Sequence, residues 1–220
     1  MRFPQHTLLL RLKALLFGWG TVGVVYQLSA QFQGQGTVLP TSLVDEWIPF
    51  SASAIWLYLS FFIIVPLSYL SCPMSRLAGL RRATQLTALI AGAVYLIFPT
   101  TMVYPLVVGD DFSTRVLQLL LLIDSPQNCL PSLHIALTVL AVWAVWAMSD
   151  GQQKVKTGFY LLWGIAIAFS ILQLRRHLFI DLVTGAMLAG IAGWVFLRSR
   201  EAVKAISPAA PLPNDKQHQE

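Results

Sequence analysis

Charged side chains are scarce in this sequence. Asp, Glu, Lys and Arg make up 11% of its 220 residues, whereas a soluble domain usually has about a quarter. Cysteine is also rare, with two residues, which excludes a disulfide scaffold. The sequence has neither a glycine-rich phosphate loop nor zinc-finger spacing. Apolar residues form 56% of the chain, so the composition predicts a polytopic membrane protein.

Six apolar stretches approach the roughly 20 residues that a helical membrane span needs. They predict an all-α fold, a bundle of six transmembrane helices. The predicted spans are Leu8–Ala30, Trp47–Ser71, Leu86–Val108, Pro131–Met148, Thr157–Leu174 and Leu178–Leu197. Arg11, in the first span, is expected to reach the membrane interface with its long side chain. A shorter run, Val116–Ile123, predicts an interfacial or re-entrant helix.

The first span has a second interpretation. Basic residues precede its apolar run, and Leu28–Ala30 is a poor version of a small-residue cleavage site, so a cleaved signal peptide stays open. Otherwise we expect residues 1–204 to form the membrane domain. The proline-containing segment 205–220 is predicted to be a disordered cytoplasmic tail.

Basic residues alternate between the two sides of the predicted bundle. Twelve of the fifteen Lys and Arg residues lie in the N-terminal arm, the second and fourth loops and the tail. The positive-inside rule therefore predicts a cell-membrane protein with both termini in the cytoplasm. The charge is orientation bias, which argues against a nucleic-acid partner. Cys72 and Cys129 fall on opposite sides and are predicted not to pair.

Two histidines, His134 and His177, are predicted at outer span ends. They are 43 positions apart, about two spans and a short turn, so the chain delivers both to one membrane surface. Asp181 follows His177 by four residues, which on a helix places the side chains one turn apart. A carboxylate bonded to one imidazole nitrogen leaves the other free as a nucleophile. The alternative is a His–Asp pair that only satisfies itself at a helix end.

The residues beside these histidines suit an anion. Pro131 is favoured in a first helical turn, and Ser132 offers a hydroxyl where exposed backbone N–H groups attract phosphate. Arg175 and Arg176 precede His177, and guanidinium groups pair bidentately with phosphate oxygens. We therefore predict that Ser132, Arg175 and Arg176 bind phosphate. The alternative for the two arginines is an interfacial position without a ligand.

Two motifs carry a resemblance to a known family. Pro131-Ser132-Leu133-His134 and His177-Leu178-Phe179-Ile180-Asp181 resemble the second and third motifs of the type 2 phosphatidic acid phosphatase superfamily. Leu133 stands where the phosphatases usually have glycine, which is similar to the inositol phosphorylceramide synthase branch. Ser170 and Arg175 also match that branch. The resemblance covers residues 39–197 approximately and implies six spans.

The resemblance implies an enzyme that acts on lipid phosphates or lipid phosphodiesters in the membrane. His177 is expected to attack phosphorus, Asp181 to orient His177, and His134 to protonate the leaving oxygen. With water as acceptor the enzyme is a lipid phosphate phosphatase, and with an alcohol it is a headgroup phosphotransferase. Neither a metal nor another cofactor is expected, because positioning and electrostatics carry the chemistry.

The sequence departs from the family pattern in two places. The phosphatases begin the third motif with Ser-Arg, whereas this chain has Ser170-Ile171. Their first motif supplies a lysine and an arginine that hold phosphate, but residues 98–105 contain no basic residue. Arg175 and Arg176, with Arg115 as a third candidate, are expected to compensate. A catalytically weak relative is the alternative.

Two other classes of protein compete with this interpretation. In a membrane metalloenzyme, His134, His177 and Asp181 would be metal ligands. A transporter would place polar groups at mid-bilayer, whereas the polar cluster of this sequence lies at the outer end of apolar spans.

The topology is directly testable. Because the basic residues are so unevenly distributed, we expect a reporter fused after Val108 or near Arg175 to be extracytoplasmic. A reporter near Lys154 should be cytoplasmic. The reverse pattern of reporter activity would contradict the predicted placement of the site.

Overall fold

Helices account for nearly all regular structure in the computed structural model, which describes residues 5–146 and 151–198. In chain order the elements are α1 (Gln5–Phe32), β1 (Thr37–Val38), α2 (Leu43–Trp47), a 3-10 turn (Ala52–Ala54), α3 (Ile55–Leu59), α4 (Phe61–Ser71), α5 (Met74–Ile97), β2 (Thr100–Thr101), α6 (Phe112–Ile123), α7 (Leu133–Val145), α8 (Gly151–Gln173) and α9 (Phe179–Leu197). The predicted tail, 205–220, lies outside the described residues.

Four helical segments of the described chain are long and apolar enough to cross a membrane. They are Gln5–Phe32, Ala52–Ser71, Lys154–Gln173 and Phe179–Leu197. Large apolar side chains are exposed on the outside of the bundle, among them Leu16 at 69% and Leu122 at 81%. The protein is therefore a mostly helical membrane protein, as its composition predicts.

The predicted third span, Leu86–Val108, has wrong boundaries. Its helix, α5, begins directly after Pro73 and ends at Ile97. The end is explained by Pro99, because a residue before proline avoids helical backbone angles. The predicted second span is also interrupted, since α2 ends at Trp47 and regular structure resumes only at Ala52.

Helix α7 lies at the centre of the bundle and contacts α4, α5, α8 and α9. It is apolar on all sides, and Ala136, Leu140 and Ala144 are completely buried. A helix that is apolar all round is a core helix. The remainder of the predicted fourth span, up to Met148, lies outside the described residues.

The position of Arg11 relative to the membrane interface stays a prediction, but the structure shows what its side chain contacts. It is buried, and its Nη1 donates to the backbone oxygens of Tyr69, at 2.8 Å, and Cys72, at 2.9 Å. The last carbonyls of a helix have no partner within it, so the guanidinium satisfies the end of α4. This bond fixes α1, which packs against α4 and α5.

Two short strands hold the start of α7 in place. The residues of β1 pair in parallel with β2, Thr37 with Thr100 and Val38 with Thr101, a feature that the sequence did not predict. Leu130 N–H then donates to Oγ1 of Thr100 at 3.0 Å. The strand pair thus joins the segment after α1 to the segment after α5, and Thr100 joins the latter to the loop before α7.

Both cysteines are free and buried, which confirms that Cys72 and Cys129 do not pair. The predicted short helix Val116–Ile123 is present as the longer α6. It begins at Phe112 because the Asp111 carboxylate caps it, accepting from the Thr114 N–H at 3.1 Å.

Close packing at Gly185 should be sensitive to one methyl group. A Cβ at this position of α9 would lie 2.4 Å from the Ser132 carbonyl oxygen, whereas one at Gly190 would contact nothing. We expect Gly185→Ala to destabilise the protein by about 1–3 kcal/mol and Gly190→Ala to be neutral or stabilising. Thermal unfolding in detergent measures both. Equal stability of the two variants would contradict this packing.

Candidate active site

The structure brings the two predicted catalytic histidines together. His134 is the second residue of α7, and His177 lies in the turn between α8 and α9. Their ring centroids are 5.7 Å apart, and the rings are inclined by 63°. The site therefore forms where the start of α7 meets the α8–α9 turn.

His177 and Asp181 pair as the sequence suggests, but through different local geometry. His177 precedes α9, which begins at Phe179, so the two residues do not share a helix. The Nδ1 of His177 lies 3.3 Å from Oδ2 of Asp181, and both side chains are buried. The same oxygen accepts the Leu178 N–H at 2.9 Å. Asp181 therefore pairs with Nδ1, on one edge of the imidazole, and caps α9, leaving Nε2 of His177 free of this pair.

Arg175 forms the turn that delivers His177. Its backbone is left-handed, with φ 54°. The Arg175 N–H donates to the Leu172 oxygen and the Arg176 N–H to the Ile171 oxygen, a Schellman arrangement that ends α8. Glycine usually occupies this position, because a side chain there is strained. The reason for an arginine lies in its side chain, whose Nη2 donates to the Ile48 oxygen at 2.7 Å.

Asp45 is a buried residue of the site that the sequence did not single out. Its Oδ1 accepts the Phe179 N–H at 2.8 Å, so it caps α9 together with Asp181. Its Oδ2 accepts from the Ser42 N–H, 2.8 Å, and hydroxyl, 2.6 Å, which fixes α2. A carboxylate is favoured at this position because the first N–H groups of a helix carry partial positive charge.

His134 lies among aromatic side chains. The Tyr58 hydroxyl is 2.9 Å from its Nε2, and the Phe61 ring centroid is 4.6 Å from its ring centroid. Tyr58 is fully buried within an apolar run, so no pattern in the sequence marks it. This contact orients the imidazole. It involves Nε2, so Nδ1 of His134 is the ring nitrogen that is not bonded to Tyr58.

Ser132 is the helix cap of α7. It is completely buried, its Oγ accepts the Ile135 N–H at 3.4 Å, and its own N–H donates to the Asp181 oxygen at 3.0 Å. Pro131 therefore precedes the cap. The prediction that Pro131 lies in the first helical turn is wrong. Ser170 donates to the Ile167 oxygen of its own helix at 2.7 Å. Both hydroxyls thus have structural partners.

Arg176 forms a largely buried ion pair with Asp124, which no pattern in the sequence indicates. Its Nη2 and Nε lie 2.7 Å and 3.2 Å from Oδ2 of Asp124. Burial alone would raise the pKa of the Asp124 carboxyl, but Arg176, His134 and a hydrogen bond from Tyr26 outweigh it, so this pKa lies below its ordinary value. Burial likewise opposes the charge of Arg176, and Asp124 overcomes it, so the Arg176 pKa is raised. The pair is ionised at neutral pH.

The segment at the place of the missing basic motif contributes an aromatic ring. Within residues 98–105, Tyr104 places its ring 4.8 Å from Cζ of Arg176. Its hydroxyl also lies 3.3 Å from Sγ of Cys129. Arg115, the third basic candidate, is on α6 and is exposed. Of the three predicted cations, Arg175 and Arg176 belong to the turn that carries His177.

One set of side chains could hold a metal ion. The ligand atoms of Cys129, His177 and Asp181 all lie within 4.8 Å of one another, and the three residues are buried. Cys129 takes the place that the metalloenzyme hypothesis gave to His134. Burial raises the pKa of the Cys129 thiol to about 11, so a metal would have to displace its proton at neutral pH.

The family follows from a comparison with known proteins. A family model described as the PAP2 superfamily matches residues 42–195, which include both histidines and Asp181. The chain belongs to the PAP2 superfamily. Membership supports a phosphatase- or phosphotransferase-type activity in general. No curated protein and no solved structure matches the chain.

The two roles of Arg175 in this PAP2 protein can be separated by substitution. Arg175→Gly and Arg175→Ala both remove the guanidinium group. The left-handed backbone is strained when the residue is alanine but not when it is glycine. We expect the glycine variant to be more stable by about 1 kcal/mol in thermal unfolding, with turnover reduced equally in both. An alanine variant as stable as the glycine variant would contradict the strain.

Proposed function

We propose that this PAP2 protein is a membrane-embedded phosphoryl-transfer enzyme that acts on lipid phosphates or lipid phosphodiesters. The observation that carries the proposal is the convergence of His134, His177 and Asp181, with ring centroids 5.7 Å apart and a carboxylate on Nδ1 of His177. This arrangement supplies a nucleophile, a group that orients it and a group that transfers a proton.

The reaction proceeds in two balanced steps. Nε2 of His177 attacks phosphorus and forms a P–N bond while the bond to the leaving oxygen breaks. His134 gives a proton to that oxygen. An acceptor hydroxyl then attacks phosphorus, His134 takes its proton, and the P–N bond breaks. Asp181 stabilises the positive charge that develops on His177.

The acceptor decides between two enzyme classes. With water the protein is a lipid phosphate phosphatase. With a lipid or polyol hydroxyl it is a phosphotransferase of the inositol phosphorylceramide synthase type. Leu133, Ser170 and Arg175 match that branch at three positions, which supports the second class.

We further propose that six helices cross the cell membrane, with both termini in the cytoplasm and the site on the outer face. Besides the four long apolar helices, α5 has 24 residues, about 36 Å of helix. Helix α7 has 13 described residues and is surrounded by other helices. The location of twelve basic residues on one predicted side supports this orientation.

The experiment is to incubate purified protein in detergent with a panel of lipid phosphates, diphosphates and phosphodiesters, recording phosphate release and new lipids. His177→Ala should reduce turnover to background because no other group forms the P–N bond. His134→Ala should cost about 10²–10⁴ in rate. Asp181→Asn should cost less than His177→Ala, since a misoriented imidazole still has a nitrogen.

An exposed histidine provides the control. His6→Ala, at the exposed start of α1, should retain wild-type turnover. Brief incubation with a radiolabelled substrate should label the wild type through an acid-labile bond and leave His177→Ala unlabelled. Near-wild-type turnover by His177→Ala would show that the proposed phosphohistidine mechanism is wrong.

A further inference from the structure

The Arg176 guanidinium is already occupied on one edge and one face. Its Nε and Nη2 both donate to Asp124, and the Tyr104 ring lies 4.8 Å from Cζ. In residues 5–146 and 151–198, Nη1 donates to no side chain or backbone oxygen. Arginine binds a phosphate most strongly when two N–H groups on one edge of the guanidinium donate parallel hydrogen bonds to it. Asp124 therefore already occupies the Nε–Nη2 edge of Arg176.

Asp124 is itself held in place. The Tyr26 hydroxyl donates to its Oδ1, and its own N–H donates to the Leu120 oxygen at the end of α6. The Asn128 side chain fixes Tyr26 in turn, donating to its backbone oxygen at 3.1 Å. Tyr26 belongs to α1, outside the family-matched residues 42–195. Helix α1 thus contributes to the site through the Asp124 carboxylate.

The fixed charges of the candidate site carry no positive excess. Two arginines, Arg175 and Arg176, belong to the turn that carries His177. Three buried or nearly buried carboxylates, Asp45, Asp124 and Asp181, contact this turn or the start of α9. The basic residues of the family's first motif are missing from residues 98–105. A phosphomonoester carries nearly two negative charges at neutral pH, whereas a phosphodiester carries one. This balance favours the singly charged ligand.

We propose that Asp124 is a specificity-determining residue: by holding and neutralising Arg176, it makes the site prefer singly charged phosphodiesters over doubly charged phosphomonoesters. The proposal rests on the phosphoryl-transfer function proposed above and narrows its substrate class. The proposal explains why a nearly buried carboxylate, Asp124, lies beside Arg176. Without this carboxylate, the Arg176 guanidinium would be free to bind an anion.

Binding of two matched soluble probes tests the proposal without turnover. Phenyl phosphate is doubly charged, and its monomethyl ester, methyl phenyl phosphate, is singly charged. Thermal stabilisation of the purified protein gives a dissociation constant for each. We expect the wild type to bind the ester at least as tightly as phenyl phosphate. A wild type that prefers phenyl phosphate would overturn the proposal.

Substitution of Asp124 should shift this ratio. Asp124→Asn removes the compensating charge, so phenyl phosphate binding should strengthen about tenfold or more relative to the ester. Asp124→Glu keeps the charge and should retain the wild-type ratio. Asp110→Asn removes an equal charge at an exposed position and should also leave it unchanged. An unchanged ratio in Asp124→Asn would overturn the proposal.

Arg176→Gln tests the same charge balance from the other side. It leaves the Asp124 charge uncompensated, so phenyl phosphate binding should weaken about tenfold or more relative to the ester, even where Asp124→Asn does not fold. An unchanged ratio would again overturn the proposal. Correct probe ratios in a protein that turns over neither lipid phosphates nor lipid phosphodiesters would reject only the enzymatic function. Normal turnover that depends on His177, with unchanged ratios, would reject only the role of Asp124.

Discussion

The Asp181 residue connects the segments that form the candidate site. Its carboxylate accepts the Leu178 N–H at 2.9 Å and lies 3.3 Å from Nδ1 of His177, and its backbone oxygen accepts the Ser132 N–H at 3.0 Å. The start of α9, the His177 imidazole and the start of α7 are thereby fixed to one fully buried residue. In the described part of the chain, Oδ2 of this carboxylate has both of these partners, whereas Oδ1 has no hydrogen-bond partner. The separation of the two histidines depends on this connection.

The second constraint is electrostatic. Buried charges persist in a protein only when they are paired. Arg176 is paired with Asp124, whereas Arg175 is fixed to the Ile48 backbone oxygen. These contacts reduce the freedom of both guanidinium groups before a ligand arrives. Preorganised groups of this kind stabilise a transition state better than mobile ones.

The helical class, the convergence of the histidines and the pairing of Asp181 were predictable. The lengths of the apolar stretches indicate helical spans, and the spacings of His134, His177 and Asp181 indicate which residues meet. The partners Asp124, Tyr58 and Tyr104 were not, because their contacts span 52, 76 and 72 positions and no local pattern marks them. The predicted boundaries of the third span differ from those of α5, which begins after Pro73 and ends before Pro99, because proline restricts the backbone at both ends. The phosphate role assigned to Ser132 remains a prediction, and its hydroxyl oxygen caps α7.

Nucleophilic attack by His177 is tested most directly by a structure with orthovanadate, which adopts the five-coordinate geometry of phosphorus during transfer. Nδ1 of His177 is directed at Asp181, so we expect vanadium to bond to Nε2 of His177. An apical vanadate oxygen should then face His134, whose ring centroid is 5.7 Å from that of His177. Vanadium bonded to His134, or located away from both histidines, would contradict attack by His177.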